Sequence, residues 1–139
     1  MVHALREAQR TLQPSGILLD LRPAIVHRRV GIQSAEGFQE IGALRESFED
    51  DYLANRAVKQ VMREGLFKSE KYVEFNCNRV MDGLKEFRAW ISEFTTLGHM
   101  PSQDRLLKQV DQAWHETSGK KKIVVSAPLM LRRLKNLAG

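Results

Sequence analysis

Residues 5–23, LREAQRTLQPSGILLDLRP, set the reading of the whole chain. Leu5, Ala8 and Leu12 recur at helical spacing, so residues 2–12 are expected to form an amphipathic helix. Pro14-Ser15-Gly16 then stops it, with Gly16 the residue expected to take the left-handed conformation that such a stop uses. Ile17-Leu18-Leu19-Asp20-Leu21 follows as a nearly continuous apolar run, the pattern of a strand covered on both faces, and Pro23 ends it. A helix, a turn and a buried strand thus open the chain. In an α/β enzyme such a unit comes late, after the strands that build a ligand site.

Working outward, 139 residues make one ordinary domain, and 42% hydrophobic with 28% charged residues is an average globular composition. The longest aliphatic runs, residues 17–19 and 123–125, are far too short to cross a bilayer, and no apolar leader stands at residue 1, so a cytoplasmic location is expected and no membrane partner. The single cysteine, Cys77, has no second cysteine for a disulfide or a metal pair, which fits a reducing compartment. A net charge of +5 raises the question of nucleic acid. The basic groups His27-Arg28-Arg29, Lys120-Lys121-Lys122 and Arg132-Arg133 are scattered, however, and Glu46, Glu49, Asp50 and Asp51 oppose them. Without a recognised binding pattern they read as solvated faces, and a nucleic-acid module is the weaker alternative.

Residues 25–32 and 38–44 are two further strand candidates around the turn at 34–37, and they are expected to form a hairpin. From Glu46 to Gly65 a wide apolar stripe predicts the longest helix. Residues 71–80 alternate: Val73, Phe75 and Cys77 are expected on a buried face, with Tyr72, Glu74, Asn76 and Asn78 on a wetter one. Asp82 is placed as N-cap of a helix carrying Leu84, Phe87, Trp90, Ile91 and Phe94, terminated by Gly98. Pro101-Ser102 opens a last helix burying Leu106, Leu107, Val110, Ala113 and Trp114, closed by Gly119. In a final strand over residues 122–134, Ile123, Val125, Ala127, Leu129 and Leu131 are expected on one buried side, with Pro128 at a bulge or an edge. The sum is a single α+β domain over residues 1–139, with a mostly antiparallel mixed sheet and about four helices.

Residues 4–22, ALREAQRTLQPSGILLDLR, resemble the part of class I S-adenosylmethionine-dependent methyltransferases where a helix ends in a leucine-arginine-proline-glycine-glycine turn and enters the fifth strand. Leu12, Pro14, Gly16 and the apolar strand match, and Ser15 replaces the first glycine. The later helix, strand, two helices and strand look like the sixth and seventh strands of that fold with an insertion between them. The glycine-rich cofactor loop and the ribose-binding acid of that family have no counterpart here. The resemblance therefore implies a truncated, non-catalytic methyltransferase-like domain, with no cofactor and no cofactor-binding residue. It also implies an orphaned strand edge, completed by a second copy of the chain or by another chain. The alternative is the substrate-side, C-terminal part of a split methyltransferase.

Residues that carry chemistry are few. His3, His27, His99 and His115 fall in different elements with no metal-site spacing, and Cys77 reads as a small core residue. Asp20 and Arg22 end a buried strand, where α/β folds place ligand contacts, although a local ion pair is the plainer account. Tyr72, Glu74, Asn76 and Asn78 could floor a polar groove or lie under a partner, and Arg28 and Arg29 complete the candidate ligand or interface residues. Trp90 and Trp114 read as packing residues. No catalytic residue and no metal site are expected.

Overall fold

A computed structural model describes residues 1–97 and 100–138. Four helices, α1 (Val2–Thr11), α2 (Glu49–Arg63), α3 (Leu84–Thr96) and α4 (Asp104–Glu116), accompany five strands, β1 (Ile17–Pro23), β2 (Arg29–Ser34), β3 (Gly37–Ala43), β4 (Phe67–Met81) and β5 (Lys121–Asn136). The strands form one antiparallel sheet in the order β1-β5-β2-β3, with β4 also paired to β5. The domain is α+β, and its backbone gathers into two compact units.

The first unit comprises residues 1–25, 48–75 and those from 128 onward. The amphipathic faces of α1 and α2 meet the sheet here: Leu5, Ala57, Val58, Val61, Phe67 and Leu134 form the buried core, flanked by Val2, Leu12, Leu18, Met62 and Leu66. α2 begins at Glu49 rather than Glu46, with Phe48 as N-cap and three acids in its first turn, where the helix dipole favours negative charge. β1 runs antiparallel to β5, from Ile17 opposite Lys135 to Pro23 opposite Leu129.

The turn between α1 and β1 differs from the sequence expectation. Ser15, not Gly16, takes the left-handed conformation, at φ 62°. Gly16 is needed for closeness: a Cβ there would lie 2.8 Å from the Gln13 carbonyl oxygen. The carbonyls at the end of α1 are satisfied from the far end of the chain. Asn136, 1% exposed, donates its side-chain amide to the carbonyls of Leu12 (3.3 Å) and Gln13 (3.1 Å), and its Oδ1 accepts from Gln9 Nε2 (3.1 Å). A buried polar side chain thus closes the helix end that would otherwise leave orphan acceptors.

β1 is likewise not covered on both faces. Its exposure alternates, with Leu18 against the core and Ile17, Leu19 and Leu21 exposed. The helices of this unit cover one face of the strand, so the apolar run is half solvated.

The second unit comprises residues 26–47 and 76–127. Its core joins Val30, Leu44, Met81, Phe87, Ile91, Phe94, Leu106, Val110, Ile123 and Val125, with Leu84, Trp90, Leu107 and Trp114 packed at its margin. The helical faces expected of α3 and α4 are the faces that pack. The hairpin also forms, β2 antiparallel to β3 with a bulge at Val30/Gly31, although the first strand starts at Arg29 rather than at residue 25. Gly31 sits beneath the Phe38 ring, where a Cβ would fall 2.4 Å from ring carbon and 2.4 Å from the Gln39 carbonyl oxygen. β2 then pairs with β5 from Arg29 opposite Ser126 to Ser34 opposite Lys121.

Asp82 is not the N-cap of α3. Gly83 holds that position, while Glu86 reaches back to accept the Asp82 backbone N–H at 2.8 Å and the Asp82 carboxylate pairs with Lys122. The Gly98 terminator and His99 lie outside the described residues.

The two long strands carry the largest differences from expectation. β4 is 15 residues long and is exposed along most of its length, Val73, Phe75 and Cys77 included. The alternation of residues 71–80 belongs to the sequence alone, because the side chains on both of its faces are exposed. β5 buries Ile123 and Val125 in the second unit but Met130, Leu134 and Asn136 in the first, and Ala127, Leu129 and Leu131 are only half-buried. The buried set changes from the run Ile123-Val124-Val125 to the even positions 130, 134 and 136, each stretch of the strand serving a different core. Pro128 stands between the β2-paired residues and the β1-paired residues. Its carbonyl accepts the Ala24 N–H at 2.9 Å, and its missing N–H leaves that pair, just beyond the end of β1, with one bond in place of two.

Candidate functional site

The geometry of β1 follows from two hydrogen bonds at its ends. The Asn136 N–H donates to the Gly16 carbonyl at 2.8 Å and the Ala24 N–H donates to the Pro128 carbonyl at 2.9 Å. Both pairs share the register of the ladder between them. In an antiparallel pair, bonded and non-bonded residues alternate, so the even residues of β1 direct their backbone groups to β5 and the odd residues direct theirs away. Among the described residues β5 is the only strand paired with β1. The N–H and C=O groups of Ile17, Leu19 and Leu21 therefore lie along an open edge, and the same three side chains are 43%, 63% and 56% exposed.

The other side of β1 is polar beyond Leu18. Arg22 donates to both oxygens of Asp20, at 2.7 and 2.8 Å, in a fork pair whose side chains are largely buried. The Arg132 guanidinium lies 5.4 Å from the Tyr72 ring centre, and the Tyr72 hydroxyl donates to Glu74. That hydrogen bond, helped by partial desolvation and the nearby carboxylate charge, raises the Tyr72 pKa above its ordinary value near 10, against the opposing pull of Arg132 and Arg22. Asp20, Arg22, Tyr72 and Glu74 are thus brought together, with Arg132 as the member the sequence reading placed only in a basic cluster. Each charge in the set has a partner in reach.

The remaining candidates lie in the second unit. Arg28 Nε is 3.1 Å from Glu46, its guanidinium stands over the Phe94 ring at 5.1 Å, and its backbone N–H donates to Glu46 at 2.7 Å. Glu46, expected to begin a helix, instead anchors the segment ahead of α2. Arg29 pairs with Glu40 across the hairpin at 2.8 Å. Asn78 and Arg28 line an open cavity of about 330 Å³ with Cys77, Arg79 and Trp90, where Arg79 lies over the Trp90 ring at 5.8 Å. Asn76 is on the exposed length of β4 and does not line this cavity. His27 Nδ1 accepts the Glu46 N–H at 3.3 Å, a local structural role.

Among the described residues no three histidine, cysteine or acidic side chains gather into a metal site, and no helix is long and apolar enough to cross a membrane. The sequence reading missed which face of β1 is open. The signal was present: Leu18, Asp20 and Arg22 alternate with Ile17, Leu19 and Leu21, and the polar even positions mark a face different from the aliphatic odd one. Compared with known proteins, no family model, curated protein or solved structure matches the chain.

Proposed function

We propose that this chain is a non-catalytic, methyltransferase-like interaction domain that associates with itself through the open edge of β1. One observation carries the reading: a terminal strand of the sheet presents unpaired backbone groups beside three exposed aliphatic side chains, Ile17, Leu19 and Leu21. Sheet edges of stable monomers are blunted by charge, proline or a covering element, because an open edge is a template for another strand. Here the outward positions hold no charged residue, and proline comes only at the end, Pro23.

The methyltransferase part of the reading rests on the opening helix, turn and strand. In that account β4 and β5 take the place of the last two strands, and α3 with α4 is the insertion between them. The chain is assigned no cofactor, since no glycine-rich loop follows a strand in its sequence. Its place is the cytoplasm, where an unpaired thiol such as Cys77 stays reduced.

Sedimentation velocity at micromolar concentration tests the proposal. A species of twice the chain mass is expected, and a single monomeric species up to the highest soluble concentration overturns it. A monomer that bound S-adenosylmethionine only when mixed with an N-terminal methyltransferase half would instead identify the partner as that second chain.

A further inference from the structure

We propose that two copies pair β1 with β1 in antiparallel register with Leu19 on the twofold axis. This rests on the self-association read above and names the contact by which it occurs. The usable segment of the edge is short and well defined. Ser15, in the left-handed conformation, cannot extend a ladder on one side, and Pro23 has no N–H to give on the other. The extended, donor-complete stretch between them runs from Gly16 to Arg22, and its midpoint is Leu19.

The pattern about that midpoint is self-complementary. With Leu19 facing the Leu19 of the second copy, Ile17 faces Leu21 and Leu21 faces Ile17. All three odd pairs are then hydrogen-bonded, with two N–H to C=O bonds each and about six in all by the alternation of an antiparallel ladder. The six aliphatic side chains fall on the same face and cover one another, removing from water the surface that each copy leaves exposed.

Charge agrees with a second copy as the occupant. Asp20 and Arg22 neutralise each other within one chain through their fork pair, so the edge brings no net charge to its twin. Shifting the pairing to put Asp20 opposite Asp20 would set two carboxylates in directly facing positions, which costs stability. Moving the axis to Leu21 would place Pro23 opposite Leu19 and forfeit donors. The contact is small, at the low end of specific interfaces, so the association is of the micromolar, reversible kind.

Disulfide trapping in a Cys77→Ser background tests the register. Facing Cα atoms in a bonded antiparallel pair lie about 5.5 Å apart, within disulfide reach, whereas copies of residue 17 or of residue 21 would be separated by roughly 13 Å along the strands. Leu19→Cys alone is expected to give a covalent dimer under mild oxidation. Ile17→Cys alone and Leu21→Cys alone are expected to give none, and an equimolar mixture of those two to regain it. Circular dichroism of each reduced variant shows that it is folded. A dimer by sedimentation in which Leu19→Cys does not cross-link, or in which Leu21→Cys cross-links with itself, overturns the register while leaving self-association intact. A wild-type monomer overturns both.

Discussion

At the scale of single residues, Asn136 joins the last strand to the end of the first helix. Removing a buried side chain that serves several backbone partners leaves carbonyls without donors, and Asn136→Ala is expected to cost about 2 kcal/mol, read as a lowered thermal midpoint by circular dichroism. Cys77 sits on the exposed length of β4, so its thiol should react with a disulfide reagent in the native protein as fast as in the unfolded chain. Protection until denaturant is added would return it to a core. Tyr72 carries a pH dependence whose sign follows from its partner. Its folded-state pKa is raised by Glu74, so the stabilisation from the neutral phenol is fully present below the unfolded value near 10 and is lost as pH rises through the higher folded value. Ultraviolet titration of the native protein should show a tyrosine ionising later than free tyrosine, and that component should vanish in Tyr72→Phe.

At the scale of elements, the helices were the most legible. The apolar spacings of α3 and α4 place Phe87, Ile91, Phe94, Leu106 and Val110 in the core because a helix presents its stripe wherever it packs. Strands are less informative, since alternation tells which residues share a face and not whether anything covers that face. Hence the hairpin and the strands themselves were readable, while the exposure of Val73, Phe75 and Cys77 and of the odd side of β1 was not. The turn at Ser15-Gly16 failed for a similar reason: both residues suit a helix stop, and only the approach of the Gln13 carbonyl decides which one must be glycine. Of the candidate residues, the pairing of Asp20 with Arg22 was anticipated as the plainer account, but the meeting of Tyr72 with Arg132 depends on strand order, which spacing does not encode. The edge of β1 makes a direct prediction. Leu19→Lys should abolish the double-mass species in sedimentation while leaving the thermal midpoint of the monomer nearly unchanged, because the side chain is 63% exposed and supports no core. A variant that stays dimeric would move the contact elsewhere.

At the scale of the molecule, net charge separates self-association from capture of an acidic partner. Two chains of +5 repel at long range, and added salt shortens that repulsion to a Debye length of about 10 Å at 0.1 M. The dimer is therefore expected to tighten as sodium chloride rises from low concentration, measured by light scattering across a dilution series. Loosening would mark an attraction between opposite charges and a different interface. A last consequence lies in β5, which supplies Ile123 and Val125 to one core and Leu134 to the other. During translation, α1, β1, the hairpin and α2 all leave the ribosome before the strand that completes either hydrophobic cluster has been made. For that interval the nascent chain holds its apolar surface open to water, a vulnerability set by the order of synthesis.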